Sequence, residues 1–216
     1  SGDYAASFNE SMATGQSSVS FNWFTSATGD HSAAFGSGST ASGQTSVAFG
    51  ISHASGSTST AFGTSFATGY LSTSFGYSTA DGDYSTAFGD GVTTQGYSQF
   101  VIGRQNILQG DPTEWVETDD LFVVGNGTPG AKHNALTVRK DGSLAAGLSV
   151  NAGAAAQVVV GKYNKPATDG VFVVGAGTGP ASQDRKNAMR ILDDGTVLIQ
   201  PRGDLSMGMF TSGTQP

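Results

Sequence analysis

The sequence predicts an all-β solenoid of 13–14-residue coils, followed by a duplicated β-rich extension. Three observations carry this. A lone phenylalanine recurs in a bed of Ser, Thr, Ala and Gly, as in "STAFGTSFATG" at 59–69. The small residues around it alternate with period two. Beyond residue 100, three longer strings each occur twice.

The repeat comes first along the chain. Phenylalanine recurs at Phe8, Phe21, Phe35, Phe49, Phe62, Phe75 and Phe88, with Ile102 next in phase, and glycine at Gly2, Gly15, Gly29, Gly43, Gly56, Gly69, Gly82 and Gly96. Such steps are too short for a helical hairpin or a propeller blade. They suit a coil of two short strands and two turns. In Ser59-Thr60-Ala61-Phe62-Gly63, alternation sets Ser59, Ala61 and Gly63 on one face and Thr60 and Phe62 on the other. Two strands that each offer a tiny face can lie very close. Ala34, Ala48, Ala61 and Ala87, with Gly43, Gly56, Gly69 and Gly82, are therefore expected to line a thin interior.

That leaves the phenylalanines outside. Each ring gains ~1.5–3 kcal/mol when buried, and coils stack ~4.8 Å apart, so the rings form a ladder. An exposed apolar stripe of that size marks an association surface. A closed symmetric oligomer with ladders meeting along its axis satisfies it. The seven phenylalanines are thus expected at a between-chain interface. The competing reading places Phe in the interior of a monomeric solenoid, which leaves both half-coils without a tight small-residue partner.

Composition bounds the rest. Charged residues are 12% and Gly is 32 of 216, a bias that would read as low-complexity were the repeat not in strict register. A net charge of −7 disfavours a nucleic-acid or anionic-membrane binder. No cysteine is present, which suits a protein exported unfolded to the cell exterior or a virion. No apolar run is long enough for a membrane span. The chain opens at Ser1 in mid-repeat, without a signal peptide, as a fragment of a longer protein would.

The motif S-x-A-F-G…A-x-G at this spacing resembles the head repeats of trimeric autotransporter adhesins. The resemblance covers roughly residues 1–103, and that family carries Ile or Val where this chain has Phe. It implies a left-handed parallel β-roll in an intertwined homotrimer. Similar repeats occur in phage fibres and trimeric surface-fibre adhesins.

The second half follows. "VIGRQN" (101–106) matches "VVGKYN" (159–164), "DLFVVGNGT" (120–128) matches "GVFVVGAGT" (170–178), and "NALTVRKDGS" (134–143) matches "NAMRILDDGT" (187–196). The Asp-Gly pairs read as hairpin turns. Three regions result: the β-roll at 1–103, a first β module with connector at 104–157, and a second β module with tail at 158–216. The modules resemble those that follow roll repeats in fibre proteins, which implies a trimeric extension.

Chemistry is sparse. The Gly-rich strings "GNGTPG" and "GAGTGP" lack the Lys-Ser/Thr ending of a phosphate loop and read as turns. Arg202-Gly203-Asp204 spells an integrin-type tripeptide but reads as a turn. His31, His53 and His133 are scattered, so no metal site is expected. No catalytic constellation and no cofactor motif is found. The candidate ligand-binding residues are the aromatics that break the repeat: Trp115 in the acidic insertion "LQGDPTEWVETDD", Trp23 and Tyr70. The expected role is a structural or adhesive segment of a trimeric fibre on a bacterial surface or virion, attached to a protein or glycan receptor on a host or target cell. The alternatives are a phage tail or head fibre in which this segment is a rigid spacer and, more distantly, an ice-binding solenoid. The last needs Thr at one phase throughout, where the chain has Ala33, Val47, Thr60, Thr73 and Thr86.

Overall fold

A computed structural model describes residues 2–200. The chain is an all-β solenoid of about twelve coils with about fourteen residues in each. The strands of one face, Ala6–Phe8, Val19–Phe21, Ala33–Phe35, Val47–Gly50 and Thr60–Gly63, pair in parallel with the next coil. The opposite face is made of two-residue strands, among them Thr40–Ala41, His53–Ala54 and Phe66–Ala67. Register is kept along the columns, so that Ala34, Ala48 and Ala61 stack, as do Phe35, Phe49 and Phe62; a bulge at Gly91, between the pairs Tyr77–Asp90 and Ser78–Val92, takes up the extra residue of its coil. A period-two pattern with one tiny face leaves only this register, because a one-residue slip would drive the rings inward.

The interior is as thin as its side chains. Ala34, Ala41, Ala48, Ala54, Ala61 and Ala67 are fully buried in one cluster drawn from both faces. Serines flank them. Those after the phenylalanine corner serve the backbone: the Ser65 hydroxyl donates to the Phe62 carbonyl at 3.0 Å, and that of Ser78 to the Phe75 carbonyl at 2.8 Å. Those after the glycine column, Ser32, Ser46, Ser59 and Ser72, bury their hydroxyls without a partner among the described residues. The glycine column is buried by necessity, since a Cβ on Gly56 would overlap the Gly69 carbonyl of the next coil.

Two corners close each coil. One follows the glycine column, where the Ser59 amide donates to the Gly56 carbonyl at 3.2 Å and Thr58 takes φ 58°. Leu71 and Tyr84 hold the same left-handed conformation at this step. The other corner follows the phenylalanine. Gly63 turns there with φ 93° and is exposed, so it leaves the face it was expected to share with Ser59 and Ala61. Asn9 and Asn22 occupy this step in the first two coils with φ 58° and 86°; Asn tolerates the left-handed region better than other side-chain-bearing residues.

The second half continues the same stack. Ala87 aligns with Val101 and Val101 with Val123, so the interior widens from alanine to valine without changing register. Asn134–Arg139 then returns antiparallel on Asp120–Asn126, and the turn at Asp141-Gly142 leads into Leu144–Leu148. That strand opens the stretch 144–157, which the sequence reading takes as the connector of the first module. It pairs in parallel with Val158–Lys162, which pairs with Gly170–Ala176. Asn187–Leu192 and Val197–Ile199 repeat the antiparallel return. Each module is thus two or more coil strands with one reversed strand added, and the coil stack resumes after the first.

Candidate functional site

The most extensive outward feature is the phenylalanine ladder. The rings of Phe49 and Phe62, and of Phe62 and Phe75, stack at 4.9 Å between centroids and 1° between planes. Phe8–Phe21, Phe21–Phe35 and Phe35–Phe49 stack likewise at 4.4, 5.4 and 4.9 Å, and the ladder ends with Phe88 tilted by 48°. Self-stacking does not hide the rings: Phe49 is 36% exposed and Phe88 57%. Beyond Phe88 the phase passes to Ile102 and Val124, and after the reversed strand to Ala146, Val160 and Val174. An apolar column therefore runs along the whole stack. A second column, which sequence reading missed, joins it where threonine gives way to Phe100 and Phe122, 5.6 Å apart, and later to Leu144, Val158 and Phe172. The signal was present in "FVIG" and "FVVG", which are apolar on both sides of the buried valine.

A second feature lies on the corner that follows the glycine column. Tyr70, Tyr84 and Tyr97 form a ladder with centroids 5.4 and 5.2 Å apart. The insertion folds onto its upper end. The Tyr97 amide donates to the Asp111 carbonyl at 2.6 Å and the Asp83 amide to the Pro112 carbonyl at 2.8 Å. Asp111 organises the loop by accepting from the Thr113 and Glu114 amides, and these bonds hold its carboxyl below the usual pKa. Lys140 sits between: its ammonium is 4.8 Å from the Trp115 ring, 5.9 Å from the Tyr97 ring and 3.9 Å from Asp119. Burial lowers the Lys140 pKa against the pull of Asp119 and Asp111.

The three candidate ligand-binding aromatics are not gathered together. Tyr70 and Trp115 belong to the same corner, linked through Tyr84, Tyr97 and Lys140. Trp23 is on the other corner, 60% exposed and edge-on to Phe24 at 6.3 Å. The role of Lys140 was invisible in sequence, because it lies 25 residues beyond Trp115 across a hairpin.

A cavity of about 280 Å³ opens beside the first hairpin, lined by Asp120, His133, Thr137, Arg139 and Arg185 among others. Burial raises the Asp120 pKa to about 6, with Arg139 opposing and Asp119 reinforcing. The Arg139 guanidinium donates to Asn151 Oδ1 at 2.6 Å and to the Ala152 carbonyl at 3.1 Å. Among the described residues no cluster of His, Cys, Asp or Glu could hold a metal ion, and no helix is long and apolar enough to cross a membrane. Arg202-Gly203-Asp204 lies outside the described residues.

Comparison with known families places this geometry. Residues 27–51 and 67–91 each match the YadA head domain repeat. Both copies span ladder phenylalanines and interior alanines. No curated protein matches the chain.

Proposed function

We propose that the chain is an attachment segment of a homotrimeric fibre exposed on a bacterial cell surface or a virion. YadA head domain repeats are an adhesin-type structural fold rather than a catalytic one, and heads of that family are trimeric in general. The observation that carries the reading is the apolar column along the stack, headed by Phe8, Phe21, Phe35, Phe49, Phe62, Phe75 and Phe88. Such a stripe is too large to face water, and a three-fold axis would cover it with its own copies. Ala34, Ala48, Ala61 and Ala87 then serve as the core within each chain and the rings as the core between chains.

Attachment falls to residues not committed to core or turns. Trp115 and Tyr70 flank one corner, and the insertion presents a partly exposed aromatic on a loop tied down at Asp111 and Asp119. Loops on rigid scaffolds are favoured binding elements. The test shortens 109–118 to a Gly-Ser turn and measures adherence of protein-coated beads to cells and glycan arrays. Loss of adherence with an intact trimer supports the site; unchanged adherence removes it. The long unbroken coil stack favours one second reading, a rigid spacer in a phage fibre, and it becomes the better one if the intact chain adheres to nothing.

A further inference from the structure

Positive charge is unevenly placed in this acidic chain. All ten Lys and Arg residues lie at or beyond Arg104. Four of them, Lys165, Arg185, Lys186 and Arg190, line one groove beside the second hairpin, where Asp169 is the single carboxylate. Like charges brought together repel, so the convergence calls for a reason.

The backbone fixes the arrangement. Asn187 accepts from the Lys165 amide at 2.9 Å and donates to the Lys165 carbonyl at 2.8 Å. The Lys186 amide donates to the Tyr163 carbonyl at 3.1 Å. Arg185 is spent on the carbonyls of Pro180, Ser149 and Asn164. Arg190 pairs with Asp169 at 2.6 Å through one nitrogen. Lys165 and Lys186 are exposed and carry no ion pair among the described residues.

The first module is an internal control. Asn134 accepts from the Ile107 amide at 2.8 Å, and the His133 amide donates to the Gln105 carbonyl at 3.2 Å, as their counterparts do. By these bonds Ile107 and His133, and by strand register Thr137, stand where the second module has Lys165, Lys186 and Arg190. The same fold forms without the three cations, so they are not there to build it.

We propose that this groove binds a tetrahedral oxyanion, a sulfate or phosphate ester carried on a polymer. Two lysines act as point charges that suit such a group from any side, and Arg190 keeps donors beyond the one held by Asp169. The proposal does not rest on the adhesive reading. The experiment titrates the full chain by calorimetry with a sulfated dextran oligosaccharide, with poly(glycerol phosphate) and with uncharged dextran, at low and high salt. One charged polymer should bind and weaken with salt; the tighter of the two names the source. The triple variant K165I/K186H/R190T, which borrows the first module's residues, should melt like the parent and bind at least about tenfold more weakly, a difference of ~1.4 kcal/mol. Should that variant misfold, the exposed substitution Lys186→Glu must weaken binding alone. Binding by neither charged polymer, equal binding of uncharged dextran, or affinity unchanged in the variants would overturn the proposal.

Discussion

Ala61 is fully buried, stacked between Ala48 and Ser74 and facing the alanines of the opposite strands. Ala61→Leu forces three extra carbons into that layer, and overfilling a close-packed core costs ~1–3 kcal/mol. Phe62→Ile keeps the outer column apolar and loses ring stacking worth ~0.5–1.5 kcal/mol. Thermal melts should therefore show Ala61→Leu falling well below the parent and Phe62→Ile close to it; the opposite order would reverse inside and outside. Asp120 gives a pH-dependent case. Its folded pKa, about 6, lies above the ordinary 3.8, so ionisation is resisted by the fold. Below pH 3.8 both states are protonated and no penalty exists. Between 3.8 and about 6 the unfolded chain ionises first and stability falls as pH rises, by up to ~3 kcal/mol, a loss that persists above 6. Asp120→Asn should raise the melting temperature at neutral pH and have little effect near pH 4. An equal gain at both would assign the effect to something other than charge.

At the scale of strands and loops, the coils were legible because most positions repeat with a physical reason: alanine where the faces touch, glycine where the next carbonyl intrudes, serine where the corner carbonyl after the phenylalanine needs a donor. Gly63 was misplaced within this scheme, since strict alternation cannot show where a strand ends and a corner begins. The twin Asp-Gly turns were legible too. Leu144–Leu148 was not, because Ala146 and Gly147 are too small to mark a strand and its partners are Val160 and Gly161, reached only after a crossing. The Lys140 seat was hidden for the same reason: the hairpin brings it to Trp115. Removing that ring leaves a buried ammonium with fewer favourable contacts; exposed cation–π contacts are worth ~0.5–1 kcal/mol and desolvated ones ~2 or more. Trp115→Ala should therefore loosen the insertion without melting the roll. Hydrogen exchange should rise at Asp111–Asp119 and stay unchanged at Val47–Gly50. Equal protection in both proteins would mean that Asp111 and its bonds anchor the loop by themselves.

The whole molecule is defined by what a single chain leaves uncovered. The interior of its roll is a file of methyl groups that widens to valine, while seven phenylalanines stand in a column on the outer face, with Phe8 48% exposed and Phe88 57%. A monomer with so slight a core leans heavily on its backbone ladders, and backbone hydrogen bonds contribute modestly once exchanged against water. In the trimer proposed above, three copies that bring their columns to one axis would convert the exposed rings into a continuous second core. Folding and assembly would then be a single event, and stability would depend on protein concentration. Light scattering on the purified chain should give a mass near three times 21.9 kDa. Paired substitutions Phe49→Ser and Phe62→Ser, which remove two adjacent rungs, should lower that mass and the melting temperature together. A chain that stays monomeric and folded, with its ladder in water, would show that stacking of the rings on one another suffices, and the trimeric reading would fall with it.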